Sequence, residues 1–241
     1  MRKSVVCIAV AAALAVPALA AAQAAAPSPV AGNLSLVSDY RFRGLTQTFE
    51  EPALQGGFDY AHSSGFYVGN WNSSIADTFF GGSPLEMDFY AGYKPTFGDI
   101  TADFGILYYY YPGSNPKIDN TELYAGATWK WLTAKYFHAV SDFFGLDDTK
   151  GSNYIDLTAN YPFGAGWGLV GHIGRQKVKN ISDADYTDYK LGITKDIRGW
   201  VLGAAFIDTD AEDAVYTATS GGGKTMNVGD STVVFSISKT F

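Results

Sequence analysis

Apolar and polar residues alternate with a period of two along most of this chain, and no stretch after about residue 26 keeps a 3.6-residue apolar period. Leu34, Leu36, Tyr40 and Phe42 alternate with Ser35, Asp39, Arg41 and Arg43. Ile100, Ala102, Phe104, Ile106, Tyr108 and Tyr110 alternate with Thr101, Asp103 and Gly105. Similar runs start at Leu85, Leu123 and Ile155, and less regular ones fit 53–63, 65–75, 132–142, 166–176, 187–196 and 199–208. With the terminal run DSTVVFSISKTF, the pattern predicts about twelve strands.

The breaks between these runs alternate in length. Short ones fall at 63–65, 95–98, 162–166 and 196–199, and one near Trp131 contains no turn residue. Longer polar ones fall at 44–52, 76–84, 111–120, 143–151, 177–186 and 209–230. Alternating short turns and long loops are the pattern of an outer-membrane barrel. Strands of about ten residues cross a bilayer when tilted. An open sheet would leave unpaired backbone groups in lipid, so the sheet must close. The predicted fold is all-β: a closed up-and-down antiparallel transmembrane β-barrel of about twelve strands.

A soluble β-sandwich also has alternating strands. Placement of the aromatics separates the two. With residue 33 at the periplasmic side, Tyr60, Phe66, Tyr93, Trp129, Tyr161, Trp167, Trp200 and Phe241 all fall near one edge, from strands of both directions. An interfacial aromatic girdle accounts for that level. The opposite faces carry many charges, as suits a wet lumen. The chain stops on Phe241 at the end of an alternating apolar face, which resembles the C-terminal signal read by the barrel assembly machinery; Lys239 departs from that pattern.

The N-terminus adds an address. Arg2 and Lys3 precede an apolar stretch from Val5 to Val16, and Ala18-Leu19-Ala20 is a small-x-small cleavage pattern. The expected organisation is a signal peptide over 1–20, a linker over 21–32 and the barrel over 33–241, in the bacterial outer membrane. The single cysteine, Cys7, leaves with the signal, so disulfide and thiol chemistry are excluded from the mature chain. Net charge is −7, and loss of Arg2 and Lys3 takes it to −7 − 2 = −9. Such an acidic chain is a poor partner for nucleic acid.

Candidate chemistry is sparse. His62, Ser63 and Ser64 contain a His-x-Ser pair like that of outer-membrane phospholipase, but on a short turn, where a turn serine is the plainer reading. His138 and His172 are separate strand residues without metal-ligand spacing. Gly221 to Thr225 reads GGGKT, yet Ala218 stands where a phosphate-binding loop needs glycine. Asp208, Asp210, Glu212 and Asp213 form an acidic loop cluster that would suit Ca²⁺ or the cations bridging lipopolysaccharide. No enzyme, cofactor or metal is predicted.

The informative charges are Arg41 and Arg43, expected near the outer end of the first strand, with Glu86, Asp88 and Glu122 at a similar height. Two arrangements are open. Opposed charges across a narrow passage set ion selectivity, or they pair and fill the lumen. In the first, neutralising both arginines shifts the pore toward cations.

The segments SLVSDYRFRGLTQT, PALQGGFDYAHSSGFYVGNWNSSI and GDITADFGILYYYYPG resemble the TorF family of outer-membrane proteins, taken to be porins. The resemblance covers most of the mature chain and implies a channel for small hydrophilic solutes, without naming one. The expected partners are therefore outer-membrane lipid, lipopolysaccharide, the assembly machinery and small solutes. The alternative is a structural or adhesive barrel whose loops bind a ligand or surface, with no open pore.

Overall fold

A computed structural model describes residues 29–241. The expected signal peptide lies outside the described residues. Twelve long strands form the wall: β1 (Val30–Val37), β2 (Ala53–Ala61), β3 (Phe66–Ser74), β4 (Leu85–Tyr93), β5 (Ile100–Tyr110), β6 (Asn120–Trp129), β7 (Leu132–Ala139), β8 (Asn153–Gly164), β9 (Trp167–Lys177), β10 (Tyr186–Ile197), β11 (Trp200–Thr209) and β12 (Thr232–Thr240). Each pairs antiparallel with its neighbours, and β12 pairs β1 from Asn33↔Thr240 to Val37↔Ser236. The ring is closed, as it must be if no edge is to face lipid. The first strand starts at Val30 rather than at residue 33.

Backbone hydrogen bonds tie the last strand to the first. The Phe241 amide donates to the Gly32 carbonyl at 2.8 Å, and the Gly32 amide donates back at 3.2 Å. Lys239 points outward with its ammonium 4.9 Å from the centre of the Trp200 ring, a position open to a lysine at a membrane edge.

The break near Trp131 is real: Lys130 supplies the positive φ of 56° that a two-residue turn needs. Ala165-Gly166 and Arg198-Gly199 differ from it in having positive φ at both residues. All of these short connections lie at one end of the barrel, and the long ones at the other.

Outward faces are apolar, as in Phe104 (51 % exposed), Leu157 (47 %) and Phe235 (62 %). The buried core is not between sheets. It lies inside the ring, at the long-loop end, where Phe42, Phe49, Phe80, Tyr109, Tyr111, Phe143 and Phe144 are nearly inaccessible. Here the first expectation fails. The alternation from Leu34 to Arg43 is not one strand: β1 ends at Val37, and 38–52 turns into the barrel. A small hairpin of Arg41–Phe42 with Leu45–Thr46 forms there, closed by Arg43 (φ 44°) and Gly44 (φ 85°).

Candidate functional site: the plugged lumen

The inward hairpin braces itself. The Asp39 carboxylate takes the Arg41 Nε at 2.5 Å and accepts hydrogen bonds from the hydroxyls of Thr46 (2.5 Å) and Thr48 (3.0 Å). Arg41 Nη1 donates to the carbonyls of Gly44 (3.1 Å), Val228 (3.2 Å) and Asp230 (2.8 Å). Arg41 therefore ties the hairpin to itself and to the last long loop, instead of facing a passage from the first strand.

Arg43 reaches the opposite wall. Its guanidinium donates to Glu122 Oε2 at 2.7 Å and to Gln176 Oε1 at 2.7 Å. It lies 4.2 Å from the centre of the Tyr154 ring and 5.3 Å from that of Phe137. Tyr109 donates to the same Glu122 oxygen at 3.0 Å. Burial alone would strip the Arg43 proton more easily, but the Glu122 carboxylate outweighs it and holds the guanidinium charged above its ordinary range. Such a pair is costly to break from one side, because the survivor is left charged and desolvated.

Glu86 and Asp88 also face inward and are almost fully buried. The Tyr40 hydroxyl donates to Glu86 Oε1 at 3.0 Å. Burial, then the nearby Glu86 and Asp88 carboxylates, push the Tyr40 phenol well above its ordinary pKa near 10. The five residues read as pore-lining thus share one region of the lumen. Arg43 pairs with Glu122, and Tyr40, which sequence reasoning left on a strand, meets Glu86.

Aromatic packing completes the seal. Phe49 stacks on Phe79 at 4.1 Å, and Phe42 meets Tyr109 and Phe144 edge-on at 6.4 Å each. Lys224 of the GGGKT segment clasps the hairpin loop from outside: its ammonium donates to the Phe49 carbonyl at 3.0 Å and pairs with Glu50 at 2.8 Å. That segment is the turn between Thr217–Thr219 and Thr225–Asn227, not a phosphate cradle.

The short-turn half of the lumen is different. On β11, β12 and β1 its inner face carries Gly203, Ala205, Ser236, Ser238, Ser35 and Asn33, all half-exposed. Across from them, Asp103 accepts from Lys135 at 2.8 Å and from Tyr67 at 2.6 Å, while Tyr90 donates to Asp59 at 2.6 Å. Between the halves, His172 bridges two carboxylates, Asp188 at 2.8 Å from Nε2 and Asp156 at 3.3 Å from Nδ1. Sequence spacing missed this cluster, because its members pair across three adjacent strands rather than along one.

The residues read as a girdle all lie at the short-turn end and are 38–69 % exposed, from Tyr93 to Phe241. Phe66 faces Tyr93 at 4.8 Å, and Lys130 and Lys195 sit 4.8 Å from the ring centres of Trp129 and Trp167. His62 Nδ1 and Ser64 Oγ are 2.7 Å apart on an exposed turn. The acidic cluster lines an open surface cavity of about 460 Å³, and no metal-holding group occurs among the described residues.

Residues 21–241 match the family model described as "Bacterial protein of unknown function (Gcw_chp)". No match is found among curated proteins. Among solved structures, the KdgM porin is similar at a TM-score of 0.54 and 6 % identity, covering 88 % of this chain and 98 % of that one. The NanC porin is similar at 0.53 and 9 % identity, with the same two coverages. A KdgM porin in complex with disordered oligogalacturonate gives 0.52 at 6 % identity, covering 88 % and 97 %. At such identities the likeness establishes a twelve-stranded barrel fold and carries no cargo across.

Proposed function

The chain belongs to the Gcw_chp family of bacterial proteins of unknown function, and from that premise we propose that it is an outer-membrane channel closed at its outer half by its first long loop. With the long loops outside and short turns in the periplasm, small hydrophilic solutes pass when the 41–46 hairpin withdraws. The observation that carries this reading is the lumen itself. On β11, β12 and β1 a half-exposed wall of Ser, Asn and Gly leads up to a plug belonging to a loop, not to the wall. The fold shared with the KdgM and NanC porins supports it, as does the resemblance to TorF porins. The girdle residues would hold the barrel at the membrane–water interface, and β12 would present the assembly signal.

Pairing of Arg43 with Glu122 revises the role expected of the arginines. Neutralising Arg43 would first loosen the plug, and a change of selectivity would follow only from the opening. The passage is narrow in any case, since twelve strands enclose much less than a sixteen-stranded porin.

A second reading has its own support: the aromatic seal is buried like a protein core, which favours a rigid barrel without a pore. Planar-bilayer recording separates the two. Stepwise currents from the mature chain support the channel; a silent, well-folded chain that stays silent once the hairpin is removed supports the closed barrel.

A further inference from the structure

We infer that the cavity under the hairpin tip is a subsite for the carboxylate of a small solute, anchored by Lys190. The inference rests on the channel reading, since it concerns a solute that enters the barrel. The cavity measures about 60 Å³, room for a few atoms rather than one water, whose share is about 10–15 Å³ on the same measure. Its roof is Arg41, Arg43 and Gly44 of the hairpin; its walls include Phe137 and Ile207.

Asp156, Asp188, His172 and Lys190 also line it, and of these charged groups Lys190 alone has no direct contact. Both Asp188 oxygens are engaged, Oδ1 by His172 and Oδ2 by the Tyr154 hydroxyl at 2.8 Å. Asp156 Oδ1 accepts from the Thr158 hydroxyl at 2.9 Å, and its Oδ2 lies 3.3 Å from His172 Nδ1, which is 2.9 Å from that same hydroxyl. Arg43 is held by Glu122 and Gln176, and Arg41 by Asp39 and Glu50. Lys190 stands between His172 and Ile207 in the cross-strand register and is half-buried. Its ammonium makes no hydrogen bond and no ion pair within 4 Å among the described residues, and the Asp156 and Asp188 carboxylates attract it only from farther off.

An ammonium has three donors and no acceptor, and in a half-buried place it calls for an oxygen partner. A carboxylate answers both its charge and its donors, giving shortened, charge-assisted bonds. The same cavity touches Arg43 and Gly44, so a solute larger than the cavity presses on the plug from below. Binding at Lys190 and docking of the hairpin then oppose each other.

Acetate is the direct probe. In chloride-free buffer, the folded mature chain in detergent should take up one acetate by isothermal titration. Lys190→Met should weaken that binding by about tenfold or more, and Lys190→Arg should retain it within about threefold. Ile207→Trp, which fills the cavity while leaving every charge in place, should abolish it, and this variant decides the matter if Lys190→Met does not fold. No saturable uptake by the wild type, or equal uptake by Lys190→Met or Ile207→Trp, would overturn the assignment and leave the site to water. Conductance recorded on the same preparations tests the channel separately: acetate binding without current sinks the channel alone, and current without acetate binding sinks the Lys190 subsite alone.

Discussion

The two halves of the lumen are built on the same alternating strands yet reach opposite states. At the long-loop end the inward positions are Tyr, Phe, Glu and Asp, nearly all inaccessible, and a loop fills the space between them. At the short-turn end the inward positions on β11, β12 and β1 are mostly small or polar, and Gly203, Ser236, Ser238, Ser35 and Asn33 remain half-exposed. The small residues on β11, β12 and β1 leave that side of the lumen wet although Tyr67, Tyr90 and Lys135 project from across it, whereas at the long-loop end a loop and large side chains fill the ring. A barrel can therefore be sealed at one level and open at another without any change in its wall.

Breaking the seal from its most heavily buried pair should have the largest effect. Glu122→Ala leaves the Arg43 guanidinium desolvated without its carboxylate, which should cost about 3–5 kcal/mol of plug docking. The expected readouts are a raised open probability in bilayer recordings and faster proteolysis within 38–52, with the barrel's heat-modifiable gel shift retained.

Gly44→Val comes next. A side-chain carbon at Gly44 would lie 2.7 Å from Asp188 Cβ and also clash with Thr209, at a φ of 85° that valine resists. Overpacking of this kind costs about 1–3 kcal/mol. It should open the channel as Glu122→Ala does, while leaving the Arg43–Glu122 charges intact.

Tyr40→Phe should be milder, about 1–3 kcal/mol, because Glu86 loses a buried donor. It also carries a pH signature. The Tyr40 phenol is raised in the docked plug, so its contribution is complete below its ordinary pKa near 10 and is lost as pH rises toward the docked value. Conductance of the wild type should climb above about pH 10, and Tyr40→Phe should flatten that climb.

The smallest effects should come from the wet wall. Ser236→Ala should change stability by no more than about 0.5 kcal/mol. Ser236→Cys and Tyr109→Cys sharpen the contrast, since Cys7 is the sequence's single cysteine. A charged thiol reagent should label position 236 rapidly and position 109 only after the hairpin is removed. Equal labelling would erase the difference between the halves.

Much of this was legible in the sequence. The period-two runs and the alternation of short turns with long loops give the twelve strands, because lipid forces a repetitive outward face and water leaves the connections free in length. The plug was not legible from alternation. Tyr40 and Phe42 alternate with Arg41 and Arg43 just as a lipid-facing strand does, and periodicity does not say whether an apolar face meets lipid or a packed lumen. One local signal was present: Arg43-Gly44 is the same dipeptide as Arg198-Gly199, and both adopt the positive φ pair of a two-residue turn. The His172 cluster had no such signal, because it depends on the register of β8, β9 and β10, fixed only once the ring closes.

The central claim is that the first loop closes an otherwise usable passage. Its most direct test is single-channel recording of residues 21–241 beside a variant in which residues 39–50 are replaced by a short Gly/Ser linker. The wild type should show rare, brief openings and the variant sustained stepwise current. A folded variant that holds the bilayer tight, or a wild type conducting at the variant's level, would contradict it.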